Sequence, residues 1–286
     1  MLKFGGRRRM PRRIEHFAIE YNLTEHCNLT CPHCDHASPL LPKKLARLTD
    51  FMRDLQALAK VLHARELRIV GGEPTLHPQL VEFLQESRRT GVAERIRMYT
   101  NGTRLHLMPD AFWDAIDVLD LSVYPGVHLR MSRAEIERIC DEKKINLNYQ
   151  VVDSFFLSLL NQPIDDPAVV QEVFDACKNA HVWSCHAVHE GRFYKCSIAP
   201  FQEQRLASLG IKAEIRDKDG VQLHDNPNLR EDLERYLADK SPLRACTWCL
   251  GSSGPAVEHR QLNKADRQAW LDEDHRSIIA AWRPPD

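Results

Sequence analysis

Three cysteines lie within eight residues near the start of the chain: Cys27, Cys31 and Cys34. A structural zinc ion takes four protein ligands, so three thiolates alone leave one coordination position open. Thiolates are soft ligands, and they favour zinc or an iron–sulfur cluster over hard cations such as magnesium. The spacing therefore predicts a metal centre with a free position for another molecule, or a zinc site that His33 or His36 completes.

Two glycines follow a short apolar run and precede an acidic residue. Gly71, Gly72 and Glu73 come directly after residues 67–70, which have the pattern of a buried strand. Because glycine has no side chain, the backbone at this turn can approach a ligand or another segment closely. The turn therefore predicts a close contact at the end of this strand.

Polar side chains also mark the next two predicted strands. Asn101 follows a strand over 96–99, and Ser122 lies within a strand over 118–123. Parallel strands of one sheet present their carboxyl ends at the same edge, so both residues are expected near the glycine turn. Each side chain can bind a ligand there or cap a local turn, and the pattern leaves both roles open.

The cysteine spacing C-x3-C-x2-C, followed by the Gly-Gly-Glu-Pro turn over 71–74, resembles the signature of radical S-adenosylmethionine (radical SAM) enzymes. The resemblance implies that Cys27, Cys31 and Cys34 hold three irons of a [4Fe-4S] cluster. The amino and carboxylate groups of S-adenosylmethionine would chelate the fourth iron. Reductive cleavage of this cofactor would give a 5′-deoxyadenosyl radical, which takes a hydrogen atom from an unactivated carbon of the substrate.

The same resemblance implies cofactor contacts outside the cysteine loop. The backbone over 71–73 would receive the amino group of the cofactor methionine. Asn101 and Ser122 would bind the ribose or the carboxylate. His33 stands where the family usually has an aromatic residue beside the adenine, and a histidine ring can stack in that place.

The elements that must position these residues alternate between strands and helices. Strands are expected over 16–23, 67–70, 96–99, 118–123 and 145–152. Helices are expected after Thr49, over 78–89, after Pro109 and over 132–143. This repeating pattern predicts an α/β fold with a parallel sheet, in the form of a partial (β/α)6 TIM-like barrel. Ligands of such sheets bind at the carboxyl ends of the strands, where the motifs above fall.

Four further cysteines lie beyond residue 180, where the βα pattern stops. The segment from Cys185 to Cys196 has the pattern of a β-hairpin around a turn over 190–191, which places these two cysteines opposite each other. Opposed side chains have Cβ atoms about 4.5–5.5 Å apart, so both thiolates can reach one metal centre, or form a disulfide. Cys246 and Cys249 add a C-x2-C pair, a spacing common to zinc and iron–sulfur sites.

This second group resembles the Twitch-type auxiliary domain that follows the barrel in some radical SAM enzymes. The resemblance implies a second, auxiliary [4Fe-4S] cluster held by the hairpin cysteines and the C-x2-C pair, with structural zinc as the alternative. Full ligation by protein would make this cluster an electron conduit or a scaffold. Two cysteines are left: Cys140 is expected to pack inside a helix, and Cys177 is the candidate to face the active site.

The motifs together look most like compact Twitch-type proteins that act on sugars, including aminoglycosides and polysaccharides. The resemblance implies a carbohydrate-directed epimerase in antibiotic or polysaccharide biosynthesis, with Cys177 as hydrogen donor and a flavodoxin or ferredoxin as electron donor. A sugar alcohol dehydrogenase that uses the auxiliary cluster is one alternative, and a peptide-modifying radical SAM enzyme is another. A non-catalytic zinc-binding interaction protein is the alternative outside the family.

Length and charge exclude several other classes of protein. The chain has 286 residues, and its net charge of −1 and pI near 6.9 give no electrostatic basis for nucleic-acid binding. No apolar stretch approaches the length of a membrane span, and nine cysteines without an export signal favour the cytoplasm. The expected parts are a basic N-terminal arm over 1–14, a radical SAM partial barrel over 15–175, a Twitch-type auxiliary domain over 176–255 and a C-terminal helix over 256–286.

Overall fold

The computed structural model describes residues 12–285, so most of the basic arm predicted over 1–14 lies outside the described residues. The strands are β1 (Ile14–Thr24), β2 (Leu62–Gly71), β3 (Ala93–Thr100), β4 (Val118–Val123), β5 (Asn146–Val151), β6 (Ser154–Phe156), β7 (Ala187–His189), β8 (Arg192–Tyr194), β9 (Gly220–Gln222) and β10 (Ala256–Glu258). The α-helices are α1 (Leu48–Ala59), α2 (Leu80–Thr90), α3 (Asp110–Trp113), α4 (Arg133–Lys143), α5 (Pro167–Ala176), α6 (Lys178–His181), α7 (Ala199–Ser208), α8 (Arg216–Asp219), α9 (Leu229–Ala238), α10 (Asp266–Leu271) and α11 (Arg276–Ala281). Among the described residues, no helix is both long enough and apolar enough to cross a bilayer.

Eight of the strands form one sheet, in the order β5-β4-β3-β2-β1-β7-β8-β9. Strands β1 to β5 pair with one another in parallel, and a helix lies between each and the next along the chain. The mostly parallel α/β fold expected from the sequence is confirmed, as a partial TIM-like core. On the other side of β1, the short strand β7 adds in parallel, and β8 and β9 continue antiparallel.

Residues of β1 alternate between two environments. Ile19, Tyr21 and Leu23 belong to the main hydrophobic core, together with side chains of α1 and α2, and are at most 4% exposed. Glu20 and Asn22 lie between them and face the opposite side of the sheet, as successive residues of a strand do. The neighbouring strands contribute polar side chains to the cavity on that side: Arg68, Tyr99, Ser122 and Gln150.

The hairpin predicted around residues 190–191 is confirmed as β7 and β8. His189 lies directly opposite Arg192 across the turn. The two turn residues, Glu190 and Gly191, have φ values of 43° and 76°. A two-residue type I′ turn requires positive φ at both positions, so the local sequence is sufficient to fix this turn.

The single helix expected near the C-terminus, within 256–286, is instead two short helices, α10 and α11. Side chains from a distant loop fix the break between them. Asn161 Nδ2 donates to the carbonyl oxygen of Leu271 at 3.2 Å, and Gln162 Oε1 accepts from the backbone N–H of His275 at 2.6 Å. A continuous helix would pair these backbone groups internally, so the bonds end one helix and begin the next.

Candidate functional site

The loop after β1 carries Cys27, Cys31 and Cys34, which we call the early thiol group. All three line one cavity of about 570 Å³, together with residues at the ends of β2, β3 and β4. Burial raises the pKa of Cys27 to about 12, and it raises the pKa of Cys31 to about 12 as well. Free thiols at this place stay protonated, and a bound cation is needed to hold them as thiolates.

Nitrogen donors point at two of these sulfur atoms. The backbone N–H of Leu29 donates to Cys27 Sγ at 3.3 Å, and Asn101 Nδ2 donates to the same atom at 3.6 Å. Gln261 Nε2 donates to Cys31 Sγ at 3.1 Å. Such donors stabilise the thiolate ligands of a metal centre, so the surroundings of the early thiol group fit an iron–sulfur cluster.

A single zinc ion would need a tighter arrangement than the early thiol group has. Zn–S bonds of about 2.3 Å place the sulfur ligands of a tetrahedral ion about 3.8 Å apart. Within residues 12–285, the three His, Cys, Asp or Glu side chains whose ligand atoms all lie within 4.8 Å of one another are Glu25, His189 and Glu190. The early thiol group, with or without His33 or His36, is more widely spread, and this spacing fits a cluster better than a lone ion.

Gly71 and Gly72 allow β2 to end against the backbone of the cysteine loop. A Cβ atom on Gly72 would lie 2.1 Å from the carbonyl oxygen of His26. One on Gly71 would lie 2.5 Å from the carbonyl oxygen of Thr24. The N–H groups of Gly72 and Glu73 already donate to this loop, at 2.7 and 3.1 Å. The turn therefore presents carbonyl oxygens, rather than N–H donors, to a bound ligand. Because carbonyl oxygens accept hydrogen bonds, they suit the amino group of a ligand.

The Glu73 side chain ties the ends of β2 and β3 together. It is 1% exposed and accepts hydrogen bonds from the backbone N–H groups of Thr75 and Asn101, at 3.1 and 2.8 Å. Thr100 Oγ1 donates to it at 2.7 Å. Burial raises the pKa of Glu73, and these hydrogen bonds oppose the shift. The side chain holds the rim of the cavity, which leaves its backbone to meet a cofactor.

Asn101 and Ser122 both line the cavity, but each is also engaged with its neighbours. Asn101 Nδ2 donates to Asn28 Oδ1 at 2.9 Å, which fixes the start of the cysteine loop. Ser122 lies near Tyr124, another residue of the cavity wall, whose pKa it lowers against the effect of burial. The structure thus brings both side chains to the cysteine loop, and their contacts with a cofactor stay predictions.

His33 does not line the cavity, contrary to the place beside the adenine that we expected. It lies near Arg260, in the C-terminal part of the chain. His33 is a central residue of the turn that the N–H of Cys34 closes on the carbonyl of Cys31, at 3.4 Å, and this turn keeps it out of the cavity wall. His36 lines the cavity instead, and its Nε2 atom is buried with no hydrogen-bond partner among the described residues.

A family model described as the radical SAM superfamily matches residues 21–189. The match covers more than half of the chain and includes the early thiol group, the glycine turn, Asn101 and Ser122. The chain belongs to the radical SAM superfamily. Membership implies a [4Fe-4S] cluster and S-adenosylmethionine, and the sulfur atoms and carbonyl oxygens of the cavity fit both.

Curated relatives match parts of this radical SAM chain. Molybdenum cofactor biosynthesis protein 1 of Drosophila melanogaster is 35% identical over 97 residues, which are 32% of this chain and 17% of that protein. GTP 3′,8-cyclase of Actinobacillus pleuropneumoniae serotype 5b (strain L20) is 25% identical over 163 residues, 54% of this chain and 46% of the relative. The chain thus spans less than half the length of these relatives.

Solved structures of low sequence identity align along most of the chain. BtrN in complex with AdoMet and 2-DOIA aligns over 88% of this chain and 100% of BtrN, with a TM-score of 0.48 and 14% identity. The enzyme anSMEcpe with bound AdoMet aligns over 93% of this chain and 98% of its own, with a TM-score of 0.47 and 14% identity.

Two charged side chains that were not predicted from the sequence line the cavity of this radical SAM protein. Glu20 is 6% exposed, and Arg68 Nη1 lies 3.4 Å from its Oε1 atom. The same Nη1 atom donates to the backbone carbonyl of Trp183 at 2.9 Å. Burial raises the pKa of Glu20, while the charge of Arg68 opposes the shift. Glu20 and Arg68 therefore form a buried polar wall beside the early thiol group.

Four more thiols surround a second, smaller cavity, and we call them the late thiol group: Cys177, Cys196, Cys246 and Cys249. Burial raises the pKa of Cys196 to about 12 and the pKa values of Cys246 and Cys249 well above the usual range. A Cβ atom on Gly251 would lie 2.6 Å from Cys177 Sγ, so this glycine makes room for the fourth thiol. Four thiols that converge in this way can saturate a metal centre.

Cys177 and Cys185 have exchanged the places that the sequence predicted. Cys177 lines the small cavity of the late thiol group, whereas Cys185, expected there as a ligand, lines the large one. The hairpin pairing ends at Ala187, and the backbone N–H of Cys185 donates to the carbonyl of Asn179 at 3.0 Å instead of continuing opposite Cys196. The opposed pair that we expected is therefore corrected, because the chain bends before it reaches that register position.

Proposed function

We propose that this radical SAM protein binds a polar, sugar-like small molecule in the large cavity and inverts one of its carbon atoms, with Cys185 as hydrogen donor. The composition of the cavity wall carries the proposal. The early thiol group shares this wall with the Cys185 thiol and the Glu20 carboxyl. A hydrogen donor must reach the substrate in the chamber in which the radical forms, and Cys177 lines a different one.

The charges of the wall favour a neutral or positively charged substrate. Its described residues include the carboxyl groups of Glu20, Asp35 and Glu73, against Arg68 as the single Lys or Arg. A nucleoside triphosphate carries several negative charges, which proteins usually meet with cationic side chains or metal ions. The substrate in the name GTP 3′,8-cyclase is thus a poor match to this wall, and an uncharged sugar or an amino sugar is a better one.

The wall also offers groups suited to hydroxyl-rich molecules. Gln150 and Asn179 contribute amides, which can both donate and accept hydrogen bonds. Phe155 and Trp183 contribute rings that can cover the apolar face of a sugar. A few convergent polar groups among aromatic side chains are typical of a small-molecule site.

The proposed reaction uses two side chains of this chain. When bound and reduced, S-adenosylmethionine supplies the radical that removes a hydrogen atom from the substrate. Cys185 gives its S–H hydrogen atom to the opposite face of that carbon, which forms the new C–H bond and leaves a sulfur radical. An external one-electron donor of the flavodoxin or ferredoxin class supplies an electron, and Glu20 supplies the proton that restores the thiol.

The protonation states of both groups support these roles. Burial raises the pKa of Cys185, the charge of Glu20 raises it further, and Arg68 opposes the shift. A thiol with a raised pKa keeps the hydrogen atom that it must donate. Burial also raises the pKa of Glu20, so this carboxylate takes up a proton more readily than an exposed one and can pass it to the sulfur. Glu20 and Cys185 line the same cavity and shift each other's pKa, so a proton can pass from the carboxyl group to the sulfur within that cavity.

For the late thiol group, we propose a second, auxiliary [4Fe-4S] cluster in a Twitch-type domain over 176–255. Its four thiols leave no coordination position that a substrate must fill, and apolar side chains such as Phe174 and Ile198 complete the wall. This group favours a second candidate function, a sugar alcohol dehydrogenase. In that reaction the substrate radical would pass an electron to the auxiliary cluster and lose its hydroxyl proton to solvent, instead of gaining a hydrogen atom, and the product would be a ketone.

Reaction in deuterium oxide tests the proposal. The chain is reconstituted anaerobically with iron and sulfide and given S-adenosylmethionine, a one-electron reductant, and a panel of aminoglycosides, hexoses and GTP. We expect an epimer of a sugar that carries one solvent-derived deuterium, because the Cys185 thiol exchanges with solvent. A ketone without deuterium would support the dehydrogenase proposal instead of the epimerase proposal. Turnover of GTP, with no turnover of any sugar, would exclude the sugar substrate.

A further inference from the structure

The last part of the chain crosses the early thiol group. After β10, which pairs with β6, the backbone N–H of His259 donates to the carbonyl of Asp153 at 2.8 Å. The N–H of Leu262 donates to the carbonyl of Thr30 at 3.0 Å, and Thr30 Oγ1 donates to the carbonyl of Leu262 at 2.9 Å. Residues 256–262, which we call the strap segment, are thus tied to the loop that carries the cysteines.

Gln261 of the strap segment binds the cysteine loop with both ends of its amide. Its Oε1 atom accepts from the backbone N–H of Thr30 at 2.6 Å, and its Nε2 atom donates to Cys31 Sγ at 3.1 Å. Rotating the amide by 180° would place Oε1 of Gln261 against Cys31 Sγ. It would also place the NH2 group against the N–H of Thr30, so that two donors would face each other. The orientation of the amide is therefore fixed, with an N–H group aimed at the sulfur.

His259 lies beside the Gln261 amide at the same sulfur atom, with the two Nε2 atoms 3.0 Å apart. Its Nε2 atom lies 3.3 Å from Cys31 Sγ. The histidine is 7% exposed, and its ring packs against Tyr124 and Phe155 at centroid distances of 4.8 and 5.6 Å. The strap segment thus shields Cys31 from water while it supplies a hydrogen-bond donor, a combination that makes the bond to the sulfur stronger than it would be in solvent.

We propose that Gln261 is a positioning residue which raises the reduction potential of the [4Fe-4S] cluster held by the early thiol group. A donor to a ligand sulfur stabilises the electron-rich reduced cluster more than the oxidised one. The bond to Thr30 keeps the donor in place, so the effect depends on the strap segment being docked. The inference rests on the cluster implied by the superfamily and not on the substrate, so a different substrate would leave it intact.

Replacing Gln261 with Leu removes the donor and keeps a side chain of similar size. The midpoint potential is measured without substrate, by redox titration of the electron paramagnetic resonance signal that changes when S-adenosylmethionine is added. We expect a more negative potential in Gln261→Leu than in the wild-type chain. Gln268→Leu is the matched control, because Gln268 lies on α10 and its amide donates to Asp272 at 3.0 Å; its potential should equal the wild-type value.

A second variant, Gln261→Glu, keeps an acceptor for the Thr30 N–H and places an oxygen near Cys31 Sγ. We expect its potential to be more negative than that of the leucine variant, and it serves as the test if the leucine variant does not retain the cluster. Wild-type potentials in the variants would overturn the proposal. So would faster hydrogen exchange at the Thr30 and Leu262 amides with no change in potential, because that result would mean a purely structural role.

Discussion

The two thiol groups of this chain lie in opposite kinds of surroundings. The early thiol group opens into a large cavity whose wall carries charged side chains such as Glu20 and Arg68. The late thiol group encloses a small cavity whose other walls are mostly apolar, with Phe174 and Ile198 among them. Three thiols in an open polar cavity suit a metal centre that must bind another molecule. Four thiols in a closed apolar cavity suit a centre that needs no further ligand.

The two groups also differ in the sequence positions of the residues that donate hydrogen bonds to their sulfur atoms. Cys27 and Cys31 receive hydrogen bonds from Asn101 and Gln261, which are 74 and 230 residues away. In the late thiol group, Cys249 Sγ accepts from the backbone N–H only two residues further on, at 3.1 Å. The early thiol group therefore takes donors from distant segments as well as from its own loop, whereas the late group, whose cysteines themselves come from distant segments, has a donor within its own turn.

The variant Cys31→Ala is expected to give the largest effect and to separate the two groups. The early thiol group would keep two ligands, so the cluster with the open iron should be lost and cleavage of S-adenosylmethionine should become undetectable. The late thiol group keeps its four ligands, so the iron content should fall by about half. Iron assay and release of 5′-deoxyadenosine measure the two quantities.

Cys140→Ala is the matched control for this variant. Cys140 is 1% exposed and packs in the main core from α4, away from both cavities. Its replacement should lower the free energy of unfolding and leave the iron content and the cleavage rate unchanged. Full cleavage activity in Cys31→Ala would contradict the assignment of the open site to the early thiol group.

Local sequence was enough to predict the features that depend on neighbouring residues. The three early cysteines share one short loop, and the hairpin turn needs only two residues with positive φ. Helix α4 begins where expected because Ser132 Oγ accepts from the backbone N–H of Glu135 at 3.2 Å, a bond that the local pattern encodes. The polar residues Glu20 and Arg68 could also have been found, because each lies between inward-facing apolar residues of its strand.

Contacts between distant segments decide what could not be predicted. Cys177 and Cys185 are close in sequence, and the carbonyl of Asn179 decides which cavity Cys185 faces. The break between α10 and α11 depends on Asn161, and the donor to Cys31 comes from Gln261 at the other end of the chain. No spacing or periodicity within one element carries such information, so it appears only when the fold is assembled.

Variants of Cys185 and Cys177, the two cysteines whose places differ from the sequence prediction, are expected to give the next largest effects. In Cys185→Ala, both thiol groups keep their ligands, so iron content and cleavage of S-adenosylmethionine should stay near wild-type values. Formation of the epimer should fall by at least about 100-fold, equivalent to about 2.7 kcal/mol, with an oxidised or quenched by-product instead. In Cys177→Ala the iron content should fall by about half, because the late thiol group loses a ligand.

Product analysis by mass spectrometry and iron assay of both variants distinguish these outcomes. A Cys185→Ala chain that still forms deuterated epimer would remove Cys185 from the reaction. A Cys177→Ala chain with all of its iron would remove Cys177 from the ligand set, and the late thiol group would then need another fourth ligand.

Gly72 lies beside the early thiol group and Gly251 beside the late one. Alanine variants of these glycines compare the two groups through smaller effects, on the free energy of unfolding. In Gly72→Ala the new Cβ atom would meet backbone atoms of the cysteine loop at 2.1 Å, and backbone cannot move aside cheaply, so the free energy of unfolding should fall by about 3 kcal/mol. In Gly251→Ala the clash at 2.6 Å is with the Cys177 side chain, and φ is 54°, so the loss should be about 2 kcal/mol. Denaturant unfolding of the metal-free reduced chain gives both values.

Gly126→Ala is the control for these glycine variants, because its φ of 75° carries the same backbone strain with no atom within 4 Å of the new Cβ. Gly126→Ala should lower the free energy of unfolding by about 1 kcal/mol and leave all iron in place. After reconstitution, Gly72→Ala should lose iron from the early thiol group and Gly251→Ala from the late one. Equal losses from both groups in either variant would mean that the two sites are not separately supported, since damage to the backbone at one would then reach the other.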